Sequence, residues 1–220
     1  MQLVKVLSFL TVLLSTASAL APAASAWWTM PPFAFHKLET PRWMAWHGGV
    51  DLFGTTGGAE HPNVLIHVAE RVATPVGAAP SGMILWQPDP KAPPELFGFL
   101  STDETTVGPW FGPQIFAGTP FEQAPTLKAK IQIVRGEGSV TAKIEVGKRK
   151  LELTLSELGP TMYMNRAPSA QTPFYQNGVE RAVGKVVVKV DGKVFEVTPA
   201  PMNPTGGPGA VYAEFGSYAR

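Results

Sequence analysis

TLKAKIQIVRGEGSVTAKIEVGKRKLELTLS, residues 126–156, decides the fold. Leu127, Ala129, Ile131 and Ile133 alternate with Lys128, Lys130 and Gln132, the period of two that gives a strand one dry and one wet face. Two further runs repeat the pattern, Val140, Ala142, Ile144 and Val146, then Leu151, Leu153 and Leu155. If Arg135–Gly138 and Gly147–Lys150 are four-residue turns, Ile133 stands opposite Val140, Ile131 opposite Ala142 and Val146 opposite Leu151. All three strands then put their apolar residues on one face, and a slip of one residue would turn every one of them to water. The stretch reads as a three-stranded antiparallel meander.

Outward from it, GKVVVKVDGKVFEV, residues 184–197, reads as a hairpin. Asp191-Gly192 suits a two-residue type I′ turn, in which both central residues need φ > 0. Counting outward pairs Val188 with Phe195 and Val186 with Val197 on one face. Shorter strands are expected at 48–54, 63–69, 82–87, 96–101 and 211–215. Pro62 to Val72 fits a helical face through Val64, Leu65, Val68 and Val72, but VLIHV is also a run of strand formers, and strand is the preferred reading. No other segment after residue 26 has a helical period. Many short strands separated by turns imply an all-β chain, an antiparallel β-barrel or β-sandwich with an irregular aromatic N-terminal arm. Residues 102–125 and 199–210 are the loop-rich stretches.

Met1 to Ala26 has the form of a secretory signal peptide: Lys5, an apolar run from Val6 to Leu14, and small residues at Ala24-Ser25-Ala26, with a competing site after Ala17-Ser18-Ala19. The expectation is a secreted or periplasmic protein whose β-rich domain occupies 27–220. No apolar run approaches the roughly 20 residues that a membrane-spanning helix needs. The chain has no cysteine, so disulfides and thiolate metal sites are excluded. No Asn-x-Ser/Thr acceptor is present, because Asn203 precedes proline.

Loss of Lys5 would leave 17 basic residues (18 minus 1) against 17 acidic ones. A neutral total argues against nucleic acid or anionic membrane as a partner held by overall charge. The charges are uneven, with seven acids and two bases in 51–104 and seven bases and three acids in 126–156, which reads as solvated faces of opposite sign.

Chemistry is sparsely signalled. His36, His47, His61 and His67 lie in the first third with Met30, Met44, Asp51 and Glu70, types that copper or zinc accept. None of them forms His-x-His or His-Glu-x-x-His, so a metal-binding exported protein is an alternative and no metal is assigned. There is no Gly-x-Ser-x-Gly, and Thr205-Gly206-Gly207-Pro208-Gly209 lacks the lysine of a phosphate loop, so no cofactor is expected.

The densest feature is WWTMPPFAFHKLETPRWMAWHGG, residues 27–49, which holds four of the six tryptophans. Such rings can fill an open end of a core. They can also line a cleft. The ligand-binding reading takes Trp43, Trp46 and His47, with Trp86 and Trp110 from later in the chain, as the walls of a cleft for an apolar, aromatic or sugar ligand. A barrel enzyme of the isomerase or cyclase type would have the same cavity with His67, Glu70 or another acid–base residue turned inward.

Overall fold

The computed structural model describes residues 42–169 and 172–220. Eleven strands run β1 (Trp43–Thr55), β2 (Val64–Thr74), β3 (Gly77–Trp86), β4 (Leu96–Ser101), β5 (Thr126–Gly136), β6 (Ser139–Val146), β7 (Arg149–Arg166), β8 (Tyr175–Val190), β9 (Lys193–Phe195), β10 (Thr198–Pro199) and β11 (Ala210–Ala219). Among the described residues one short helix, α1 (Val107–Gln114), lies between β4 and β5. Pairing follows β1-β11-β8-β7-β6-β5-β4-β3-β2, and β2 pairs again with β1, so the sheet returns on itself as a ring. The two-residue β10 adds to the end of β1, and β9 pairs with β8. A closed ring leaves no long edge to attract another chain.

The meander forms over the expected residues, with its register moved by two. Ile131 faces Ile144, Ile133 faces Ala142, and Val146 faces Arg149. The cause is turn length: only Glu137-Gly138 and Gly147-Lys148 lie outside the ladders, with Gly138 at φ 64° and Gly147 at φ 59°. Two-residue loops that use a left-handed glycine match the twist of the strands better than four-residue ones. Because the shift is even, every apolar residue keeps its face. Ala142, Ile144, Leu151, Leu153 and Leu155 are all buried.

The hairpin forms as expected at its tip, with Val188 opposite Phe195, Asp191 at φ 51° and Gly192 at φ 83°. Its second strand stops at Phe195, and Val186 pairs with Leu155 of β7 instead of Val197. Residues 64–74 are strand rather than helix. Elsewhere the sequence expectation of a wholly antiparallel sheet gives way at one place: β4 and β5 run parallel, Phe99 beside Thr126.

That parallel pair needs a crossover, and residues 102–125 supply it. Asp103 begins it by accepting hydrogen bonds from the backbone N–H groups of Thr105 (3.1 Å) and Thr106 (2.9 Å). Helix α1 follows in the sequence VGPWFGPQ, whose glycines and prolines hide any helical signal. Packing holds it instead: Val107 and Phe111 are buried, and a Cβ on Gly108 or Gly112 would strike Thr126 or the carbonyl of Glu122.

Strands β1 to β4 are buried on both faces. Leu52, Ile66, Ile84 and Leu100 enter one core with the apolar faces of β5 to β8. Ala69, Met83, Phe99, Phe111, Phe116, Phe174 and Tyr218 belong to a second core. Strand β1 starts at Trp43, so the last part of the expected irregular arm is strand, while residues 27–41 lie outside the described residues. Gly48, at φ 63°, interrupts the alternation of β1: Met44 and Trp46 enter the second core, whereas Val50 and Leu52 enter the first.

The Asp191-Gly192 tip isolates one backbone effect, because a Cβ on Gly192 would meet nothing within 4 Å. Gly192→Val is expected to cost about 1–2 kcal/mol through its positive φ alone. Asp191→Asn keeps the Oδ1 that accepts from the Lys150 N–H (2.8 Å) and is expected to stay within about 0.5 kcal/mol of wild type. Urea titration of both variants checks the difference.

Candidate functional site

Register builds the site. Asp51 on β1 pairs with His67 on β2, His67 with Met83 on β3, and Met83 with Phe99 on β4. Residues that pair directly across strands project to the same face. This row therefore lies on the face opposite Leu52 and Ile66. One step along, Phe53 pairs with Leu65.

Over Asp51, His67, Met83, Phe53 and Leu65 opens a pocket of about 380 Å³. Phe116 and Phe121 come from the segment after α1, Phe174 from the approach to β8, and Tyr218 from β11. The rings pack edge to face or stacked: Phe116 and Phe174 have centroids 5.6 Å apart at 76°, and Phe174 and Tyr218 4.4 Å apart at 28°. The turn at 203–207 closes another side. Buried Asn203 holds it, its Oδ1 accepting from the Thr205 N–H (3.0 Å), the Thr205 hydroxyl (2.8 Å) and the Gly207 N–H (3.0 Å).

The polar centre of the site is a carboxylate beside an imidazole. Asp51 Oδ2 is 3.6 Å from His67 Nδ1, longer than a hydrogen bond. Asp51 Oδ1 and His67 Nε2 are buried and have no hydrogen-bond partner among the described residues. His67 is also framed by rings, with Trp46 edge-on at 5.9 Å and Tyr218 stacked at 6.4 Å. An orphaned buried polar atom costs about 1–3 kcal/mol, so two at the foot of one pocket call for an explanation.

Behind this pair lies buried Glu180, whose carboxylate is 3.5 Å from Arg166. Burial pushes the Glu180 carboxyl above the usual range; Arg166 opposes this and the charge of Asp51 adds to it. Burial likewise raises the Tyr218 phenol well above its ordinary value, helped by Asp51 and Glu180, so Tyr218 stays protonated. Arg166 is occupied a second time, donating to the Thr205 hydroxyl (3.1 Å).

The five residues expected to line a cleft do not come together at this pocket, and none of them lines it. Trp86 is fully buried in the first core, edge-on to Phe195 at 5.0 Å. Trp46 lies in the second core directly behind His67 and Tyr218. Trp110 packs at the margin of that core, next to Phe111, and Trp43 is half-buried at the start of β1. His47 is exposed, its Nδ1 2.7 Å from Glu70 Oε1. Glu70 is itself gripped by both terminal nitrogens of Arg135 (2.9 and 2.8 Å), and these bonds hold its carboxyl below the usual range. Arg135 also donates to the Tyr212 hydroxyl (3.0 Å), so Glu70 belongs to a surface network and His67 alone of that expected pair meets the pocket.

Among the described residues, no three His, Asp or Glu side chains are grouped closely enough to hold a metal ion, and no helix is long and apolar enough to cross a membrane. His36 and Met30 lie outside the described residues.

No family model matches the chain, and no curated protein does. Among solved structures it is similar to one from structural studies of acetoacetate decarboxylase, with a TM-score of 0.37 and 9% identity over 83% of this chain and 87% of that one. A likeness of that degree carries no argument about function.

Glu180 makes the site's electrostatics measurable. Its carboxyl is raised above 4.5 in the folded state, so between that value and the folded one the native protein holds a proton that the unfolded chain has released. Stability contributed by Glu180 is therefore full below about pH 4.5 and lost as pH rises through the folded value. The stability of wild type minus that of Glu180→Gln should fall as pH is taken from 4.5 to 8, read from thermal midpoints; a difference that grows with pH would contradict the burial of this carboxyl.

Proposed function

We propose that this protein binds a small, mostly apolar molecule in the pocket of β1 to β3, with the polar end of the ligand at Asp51 and His67. The observation that carries this reading is the coincidence of three features in one place. A cavity of about 380 Å³ is walled by Phe53, Phe116, Phe121, Phe174 and Tyr218, and at its foot are Asp51 and His67, each with an orphaned buried atom. Ligand sites combine an apolar wall with a few placed polar groups in this way. The volume lies near the lower end of small-molecule sites, which favours a compact ligand over an oligosaccharide.

The ligand-binding reading from sequence thus keeps its chemistry and changes its residues: phenylalanines and Tyr218 wall the pocket, and Trp46 supports it from behind. We also propose export, on the leader-like sequence of residues 1–26.

A second reading, an enzyme acting on an apolar substrate, draws on the Asp51–His67 pair. A carboxylate behind Nδ1 orients an imidazole whose Nε2 can take a proton from a bound molecule. The two readings share the pocket and differ in whether bound molecules are changed.

Filling the cavity separates the pocket from the rest of the molecule. Butylbenzene added to isotope-labelled protein is expected to give saturable shifts at the amides of Asp51, His67 and Met83, and Met83→Trp should weaken this by at least about tenfold, or 1.4 kcal/mol. Pro204→Trp, on an exposed part of the rim, should do the same at unchanged thermal midpoint. Absence of shifts in wild type with butylbenzene and with its alcohol, amine and carboxylate analogues alike, or undiminished binding in both variants, would overturn the proposal.

A further inference from the structure

Resting on that reading of the pocket, the geometry points to a ligand whose polar end is a hydrogen-bond donor bearing positive charge: a small amine or ammonium on an apolar body.

The pocket's donors and acceptors point to it first. Among the lining side chains, the buried atoms with no partner among the described residues are Asp51 Oδ1 and His67 Nε2. A carboxylate oxygen only accepts. In the neutral ring with its proton on Nδ1, beside Asp51 Oδ2, Nε2 presents a lone pair. In that tautomer both orphans are acceptors. A ligand carboxylate or carbonyl would add another acceptor and leave them unsatisfied. An N–H or O–H group satisfies them.

Charge points the same way. No lysine or arginine lines the pocket. The nearby cation, Arg166, faces Glu180 and Thr205, so its charge is already used. Asp51 has beside it His67, an imidazole that is charged only when protonated, and the field of Asp51 is felt by its neighbours: it helps raise both the Glu180 carboxyl and the Tyr218 phenol. An anionic ligand would enter against that field in a site of low dielectric, where like charges repel strongly. A cation would complete it.

The aromatic wall suits a cation as well. Phe116, Phe121, Phe174 and Tyr218 all line one small volume, with Phe116 and Tyr218 centroids 6.3 Å apart at 84°. An ammonium within about 6 Å of an aromatic face is attracted to it, and walls rich in aromatic rings are used for quaternary ammonium ligands. Simple apolar packing would need neither the surplus carboxylate nor two acceptors. The three features occupy one site and each asks for the same chemistry.

A matched series reads this directly: butylbenzene, 4-phenylbutan-1-ol, 4-phenylbutylamine and 4-phenylbutanoate, titrated against the full chain by calorimetry and amide shifts. The expected order is amine tightest, then alcohol, then hydrocarbon, with the carboxylate at least about tenfold weaker than the amine. Asp51→Asn should cost the amine at least about tenfold and leave butylbenzene within about threefold, narrowing the gap to the carboxylate. If that variant does not fold, the wild-type order decides alone. A carboxylate that binds as well as the amine overturns this inference while leaving the pocket reading intact, and equal affinity for amine and hydrocarbon does the same. Failure of all four to bind overturns the pocket reading and this inference with it.

Discussion

Burial of β1 to β4 on both faces is the constraint from which the rest of the molecule follows. A strand sends successive side chains to opposite sides, so a strand with two dry faces must satisfy two cores at once. Here one set, Leu52, Ile66, Ile84 and Leu100, locks onto the meander. The other set is the row Asp51, His67, Met83 and Phe99, which would face water without the crossover containing α1, Phe174 and β11. The pocket is what remains where that covering layer meets the polar end of the row. Its two orphaned polar atoms persist because the sheet they sit on is fixed from behind by a filled core.

The same constraint explains which parts of the fold are legible in the sequence. Strands β5 and β6, the first half of β7 and the second half of β8 have one wet face, marked mostly by lysine, glutamate and other polar residues at every second position, so the meander can be read directly. The turns were harder, because RGEG and GKRK offer loops of either two or four residues and only the ladder decides. VLIHVA in β2 has no wet face, since Val64, Ile66 and Val68 enter one core while Leu65, His67 and Ala69 face the other side. Such a run shows no period, and that is why a helix competed with a strand there. Helix α1 was hidden for another reason: glycines at 108 and 112 and prolines at 109 and 113 oppose helix in isolation, and contacts with β4 and β5 override them.

The site was less legible than the fold. Asp51 and His67 are 16 residues apart, and nothing in their spacing marks them as partners; only the register of β1 with β2 does so. His67 was within reach as an inward acid–base candidate, but Glu70, three residues on and in the surface network, looked the same by type. The tryptophans attract attention because they are rare and clustered, yet a large ring is also the best filler for a core. Trp86 and Trp46 serve that use, while the pocket is walled by phenylalanines at 53, 116, 121 and 174, scattered along the chain without any local pattern.

The central claim is that the row residue His67 offers an unprotonated Nε2 to whatever enters the pocket. Long-range proton–nitrogen correlation spectra of the histidine rings test it most directly, with His67 assigned by loss of its signals in His67→Gln. The account predicts the Nδ1–H tautomer in the empty protein, with the Nε2 resonance moving on addition of 4-phenylbutylamine and the other histidine rings unaffected. A His67 ring that carries its proton on Nε2 alone, or whose nitrogens do not respond when the amine binds, would contradict it.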